Sequence, residues 1–253
     1  MRSMPAVIVN ADDLGMSREV NDATFDLMEK GRISSATLMA NAPTTSQAAR
    51  RVHEFPACSF GVHLNLTQFE PLIGGASARL LVDTDGQLSR AIETVRPSLA
   101  RLRAVHEELC AQIDRVASLG VRISHLDSHN HVHTRPWLFP VLKDLQRRYR
   151  IRRVRLSKNF YSPQQACHTD LRWRKRAYNW ALKNLYATHT TDAFTELLTY
   201  YDADPVRRRS IGLAELMVHP GAAHAAAETA ILESDWVVRA NPSVRLISYA
   251  QLS

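Results

Sequence analysis

The chain has 253 residues, 45% hydrophobic and 23% charged, enough for one barrel-sized core and too apolar in its recurring runs for a disordered chain. A net charge of +7 leaves nucleic acid, an anionic membrane surface or an acidic substrate open as partners. Three scattered cysteines, Cys58, Cys110 and Cys167, exclude a disulfide framework and a Cys-rich zinc ribbon, and are expected to be inert.

The opening MRSMPAVIVNADD carries no long apolar run, so no leader or membrane span is read and a reduced, cytoplasmic setting is expected. Ala6–Val9 reads as a short strand. Ser17 is placed to cap a helix that runs to Lys30 and stops at Gly31, with Val20, Thr24, Leu27 and Met28 on one face. A strand over Ala36–Met39, a helix over Ser46–Phe55 and a strand over Ser59–Leu64 follow. From residue 68 to 97, turn signals such as Gly74-Gly75 and Asp83-Thr84-Asp85-Gly86 predict a long loop with little regular structure that covers the site. Leu102, Val105, Leu109, Ile113 and Val116 form a helical stripe ended by Gly120. Then come a strand over Val121–Leu126, a helix over Pro136–Tyr149, a strand over Arg153–Leu156, a long helix over Asp170–Ala187, and strands over Glu215–Val218 and Val244–Ser248. Alternation of strand and helix without a linker or repeat predicts a single α/β domain with a mostly parallel sheet. A distorted or incomplete (β/α) barrel is favoured over an open doubly wound sheet.

Arginine is concentrated in 147–153, 172–176 and 207–209, and the middle run has Trp173, Tyr178 and Trp180 in or beside it. Such a helix could rest on a membrane or a polyanion. The favoured reading is a solvated face with its aromatics turned inward.

Four predicted strands end in Asp or His. Asn10-Ala11-Asp12-Asp13 follows the first, His63 closes the third, Asp127-Ser128-His129-Asn130-His131-Val132-His133 follows the fourth, and His219-Pro220-Gly221 follows the strand at 215–218. In barrels and open α/β sheets that edge is where sites form. Adjacent carboxylates repel unless a cation or proton lies between them. His129, His131 and His133 alternate, so on an extended segment they would share one side. One carboxylate and two imidazoles can hold a divalent ion with open positions for water and a carbonyl oxygen, while a second carboxylate serves as base and an opposite histidine as acid. No G-x-S-x-G, G-x-G-x-x-G, P-loop or H-E-x-x-H occurs.

The stretches Asn10–Gly15, Gly61–Thr67, His125–His133 and Glu215–Gly221 resemble, in order, the motifs of the YdjC-like family, which includes chitooligosaccharide deacetylases and relatives linked to hopanoid biosynthesis. The likeness is dense to about Leu156, weak through residues 170–209, and returns near Glu215. It implies a TIM-barrel-like fold and hydrolytic N-deacetylation of an amino sugar, either an oligosaccharide or a lipid-linked glycan. It further implies Asp13, His63 and His129 as metal ligands, Asp12 as base, His219 as acid, and Asn65, His131 and Arg155 near substrate. His131 stays open as the alternative third ligand. Zinc, cobalt or manganese suit this donor set, and magnesium does with extra waters. Thr188–Tyr201 departs from the family's Asp-x-Phe-x-Gly pattern, because Asp192 and Phe194 lack the glycine. Residues 157–209 are therefore expected to be a variable helical region near the substrate groove. No nucleic-acid partner is expected, while peripheral membrane contact and a homodimer stay open. The competing readings are hydrolysis of another amide or an ester, and a non-enzymatic sugar- or polyanion-binding protein.

Overall fold

The structure, a computed structural model, describes residues 5–94, 98–163, 165, 169–234, 236 and 244–252. Its strands are β1 (Ala6–Leu14), β2 (Ser35–Leu38), β3 (Ser59–Leu64), β4 (Ile123–Ser128), β5 (Arg153–Val154), β6 (Ala193–Glu196), β7 (Leu213–Val218) and β8 (Arg245–Leu246). The intervening helices are α1 (Arg18–Glu29), α2 (Thr45–Arg51), α3 (Gly75–Arg79), α4 (Leu99–Ser118), α5 (Phe139–Tyr149), α6 (Thr169–Asn184), α7 (Leu197–Tyr201), α8 (Pro205–Arg209) and α9 (Ala226–Glu233). Ser17 caps α1 as its position predicts, its hydroxyl accepting from the Val20 amide.

All sheet pairings are parallel, in the order β5-β4-β3-β2-β1-β7-β6. β8 pairs with Ala6 and Val7 of β1, below the stretch from Asn10 onward that pairs with β2. This is the cyclic order of a (β/α) barrel with the seam between β5 and β6 left open. Side-chain and loop bonds partly bridge that seam: the Val154 amide donates to His189 O at 3.2 Å and the Phe194 amide to Asn159 Oδ1 at 2.8 Å. The expected incomplete barrel is observed. β1, β2, β3 and β7 are buried along almost their whole length, as strands covered on both faces are, with polar side chains such as Asn10, Thr37, His63 and Glu215 among the apolar ones.

Two bulges matter for function. Between Ala11↔Ala36 and Leu14↔Leu38, Asp12 and Asp13 together face the single residue Thr37. Asp13 there adopts φ +64°, a left-handed backbone uncommon for a residue with a side chain. In a regular strand neighbours point to opposite faces; the bulge lets both carboxylates turn toward one site. Between Phe60↔Ile123 and Val62↔Leu126, Gly61 alone faces Ser124 and His125. A Cβ on Gly61 would lie 2.6 Å from His125 O and 2.7 Å from its ring, so only glycine fits there.

Several expectations need correction. Residues 129–134, expected to be extended, form a tight 3₁₀ turn with Asn130 and His131 left-handed, so His129, His131 and His133 diverge. Through residue 94, the expected featureless loop contains α3 and a 3₁₀ turn at Arg90–Glu93. Leu81, Leu88 and Ile92 are buried in the main core, and the Leu72 and Ile73 amides donate to Glu108 of α4. Strand β6 and helix α9 were not foreseen, while α7 and α8 fall inside the helical region expected over residues 157–209. The aromatics of α6 do not all turn inward: Tyr178 is buried, but Trp173 and Trp180 are 62% and 64% exposed. Cys58 is half-buried and Cys110 buried; burial pushes the Cys58 thiol up to about 11, far from a reactive thiolate. Cys167 lies outside the described residues.

Candidate metal centre

The site forms at the C-terminal edge of the sheet. Asp12 and Asp13 come from the bulge of β1, His63 from β3, Asp127 from the end of β4 and His129 from the turn behind it. The side chains of Asp13, His63 and His129 each offer a donor atom within 4.8 Å of the others. Asp13 Oδ1 lies 3.2 Å from His63 Nε2 and 2.9 Å from His129 Nδ1.

The tautomer of His63 follows from its partners. Ionised Asp127 can only accept, so Nδ1 of His63 donates to Asp127 Oδ1 at 2.8 Å. Thr37 steadies the other oxygen of Asp127 at 3.0 Å. The neutral ring then turns a lone pair at Nε2 toward a carboxylate oxygen of Asp13. Two acceptors in contact repel, so a proton or a cation must sit between them. A carboxylate that orients a histidine from behind is the usual support of a metal-binding imidazole. Burial alone would favour the neutral imidazole of His63. Asp127, with Asp13 and Asp12, outweighs it and pushes the pKa up to about 10, which marks a place built for positive charge. Burial likewise raises Asp13, but bonds from His129 and His63 hold its carboxyl well below the usual range.

A second acidic set, Asp12, His63 and Asp127, is equally close but already has its cation. Arg155 is fully buried; its Nη1 and Nη2 reach the two oxygens of Asp12 at 2.6 Å each, Nη1 reaches Asp127 at 2.7 Å, and Nε reaches Glu215 at 2.7 Å. Burial raises Asp12, but the Arg155 guanidinium outweighs it and keeps Asp12 ionised. Burial pushes Glu215 up to about 7 despite Arg155 and a hydrogen bond from the Tyr249 hydroxyl. Asp13, by contrast, pairs with no Arg or Lys among the described residues. The residues present therefore fit a divalent ion at Asp13, His63 and His129, beside an arginine-held Asp12.

The other expected residues fall as follows. His219 leaves β7 one residue after Val218, which pairs with Ala11, and so stands beside Asp12. Burial disfavours its charged form, but Glu228 and the two aspartates raise its pKa. Its Nδ1 lies 3.7 Å from Glu228, too long for a hydrogen bond, and has no hydrogen-bond partner among the described residues. His131 belongs to neither cluster; it lies edge-on to Phe194 at 5.5 Å, with Nδ1 buried and unpaired among the described residues. It lines a cavity of about 320 Å³ with Asn130, Arg135, Arg174, Lys175 and Tyr178, so of the two candidate third ligands only His129 joins the cluster. Asn65 is fully buried: its Nδ2 donates to Asn41 and to Gln68 O, and its Oδ1 accepts from the Thr67 amide, so it shapes the loop after β3. Arg155 is neither at the surface nor open to a ligand; it holds Asp12. His133, expected on the same side as His129, is buried between Ser128 and Arg155 O.

Sequence reasoning missed the supporting shell. Asp127 stood inside a recognised motif, and its place at a strand's end beside the histidines was the available signal. Glu215 likewise stood in a recognised motif, at its first position, but nothing in the pattern pointed it at Arg155, 60 positions away; Tyr249, which donates to Glu215 from 34 positions away, lay outside every motif.

Comparison with known proteins adds the following. The sequence model of the YdjC-like protein family matches residues 6–243. A carbohydrate deacetylase of Geobacillus stearothermophilus is 42% identical over 144 residues, and one of Vibrio campbellii is 34% identical over 145. Each alignment covers 57% of this chain and 57% of the relative, so the match spans little more than half the length of these relatives. A crystal structure from Enterococcus faecalis V583, of a protein named for cellobiose-phosphate cleavage, superposes with a TM-score of 0.77 at 23% identity over 98% of both chains. That likeness concerns the fold.

Proposed function

The chain belongs to the YdjC-like protein family, and on that premise we propose that it is a metal-dependent hydrolase that removes the acetyl group from an N-acetylated amino sugar. The observation that carries this reading is the division of labour between two adjacent carboxylates. Asp13 faces two imidazoles and is left for a cation, while Asp12 is clamped in its ionised form by Arg155. The carbohydrate deacetylases among the relatives support the substrate class.

Asp13, His63 and His129 would hold the ion. When bound, a divalent ion there supplies Lewis acidity, polarising an acyl oxygen and acidifying a water. Asp12 takes the proton from the attacking water. Its clamp lowers its basicity but fixes its position, the better compromise once the water itself is acidified. His219, whose pKa Glu228 and the aspartates raise against the effect of burial, gives a proton to the nitrogen as the C–N bond breaks. Products are acetate and a free amine. His131, two residues beyond His129, lines the neighbouring cavity, and its buried Nδ1, unpaired among the described residues, would offer a hydrogen bond to a sugar hydroxyl. Burial, with the Arg155 charge, pushes His131 down to about 4, so it meets substrate as a neutral ring.

Acetate release from a panel of N-acetylated amino sugars and O-acetylated sugars tests the reading. The expected result is release from N-acetyl substrates only. Release from O-acetyl sugars alone would move the bond to an ester, and release from neither, with the ion bound, would overturn the proposal.

A further inference from the structure

Helix α6 is amphipathic with an unusual outer face. Tyr178, Asn179 and Leu182 face inward. Tyr178 donates to His133 O, and Asn179 exchanges hydrogen bonds of 2.9 Å with the Ser157 backbone. Trp173 and Trp180 lie seven residues apart, two turns along one stripe, and both are exposed. Arg172, Arg176 and Lys183 are exposed along one flank of that stripe and Arg174 along the other. Leu171, Leu185, Tyr186 and, from α8, Val206 extend the exposed apolar surface around it. Most exposed large apolar side chains of the described residues fall in this one region.

The charge is as one-sided as the apolar surface. Beneath Trp173, Lys158, Arg172, Lys175, Arg176 and Arg207 line a cavity of about 450 Å³ around Tyr161. The acids of residues 157–209 are Asp170, Asp192, which accepts from the Leu213 amide, Glu196, which pairs with Lys158, Asp202, and Asp204, which caps α8, five against nine Lys and Arg. A polyanion-binding face needs cations but does not need tryptophans turned to water. A protein partner does not need arginines on both sides of them. Indole rings at headgroup depth flanked by Lys and Arg are the composition of a helix lying in an anionic bilayer interface.

We propose that the outer face of α6, with α8 beside it, docks this protein on an anionic phospholipid surface. Trp173 and Trp180 enter the interface, and the cavity around Tyr161 receives lipid phosphate groups. The docking face stands independently of the reaction; its consequence for substrate rests on the proposed function. Lys175 lines both the lipid-side cavity and the one that contains His131, so the substrate cleft opens at the docked surface. An amino sugar carried on a membrane lipid would enter without leaving the bilayer.

The test is co-sedimentation of the full chain with vesicles of phosphatidylcholine alone and mixed with phosphatidylglycerol, alongside tryptophan emission and a single-stranded RNA competitor. Wild type is expected to bind only the anionic vesicles, with a blue-shifted emission. The double variant W173A/W180A should lose roughly tenfold or more in vesicle affinity and most of the blue shift. The double reversal R172E/R176E should lose more, since each cation near an anionic surface contributes about fivefold. All four side chains are exposed, so circular dichroism melting should match wild type. Wild type left in the supernatant with anionic vesicles would overturn the proposal. So would undiminished vesicle binding by W173A/W180A, or RNA binding of equal strength that ignores the tryptophans.

Discussion

Asp12 and Asp13 are identical in covalent structure and adjacent in sequence, yet their surroundings give them different work. Arg155 separates them: its guanidinium takes both oxygens of Asp12 and leaves Asp13 to the imidazoles. Arg155 is thus a positioning residue, and this can be told apart from substrate contact. R155K keeps a charge but cannot grip Asp12, Asp127 and Glu215 together. Its kcat should fall about 10² or more with KM nearly unchanged, since a base a fraction of an ångström out of place fails in the transition state. Steady-state kinetics check this; a raised KM with kcat intact would return Arg155 to the substrate. Removing the charge altogether leaves buried carboxylates without a partner, at a cost of about 3–5 kcal/mol, so R155M is expected to fail to fold.

At the scale of elements, the site depends on departures from regular strand geometry. Asp12 and Asp13 share a face because β1 bulges opposite Thr37, and His63 meets Asp127 because Gly61 lets β3 lie against the bulged β4. G61A should therefore act in two ways. The methyl group overlaps His125, whose ring stacks on Tyr249 at 3.7 Å, and overpacking of this kind costs about 1–3 kcal/mol. The same displacement separates β3 from β4 and should weaken metal affinity. Thermal unfolding and metal titration on one preparation test both; lost stability with unaltered metal affinity would uncouple the bulge from the site. The elements that carry these bulges were legible in the sequence because apolar runs and strand-end Asp and His residues mark them. The bulges were not, since whether two carboxylates alternate or converge is decided by the neighbouring strand's register. The 129–134 turn failed for a related reason: alternating histidines look extended, whereas Ser128, bonded to both the amide and ring of His133, and Thr134, bonded to His131 O, close the turn.

For the whole molecule, strand–helix alternation gave the barrel, and its missing closure between β5 and β6 has a local cause. β5 is only two residues long, and the chain beyond it leaves for α6 through the segment that carries Lys158 and Tyr161. The seam, the cavity that contains His131 and the exposed face of α6 thus lie together, with Lys175 lining the cavities on both sides. Patterns of residues 157–209 could not foretell this, because arginines and tryptophans in one run fit a helix that buries its aromatics as well as one that exposes them; the exposure of Trp173 and Trp180 distinguishes the two. The proposed function requires one divalent ion held by donors from β1, β3 and the turn after β4, with a neighbouring carboxylate that does not hold it. Metal content and acetate release of wild type, D13N, H63A and D12N test this most directly. The account predicts one equivalent of ion in wild type and D12N, little in D13N and H63A, and turnover in wild type alone. D13N and H63A that retain the ion as wild type does, or D12N that loses it, would contradict the account.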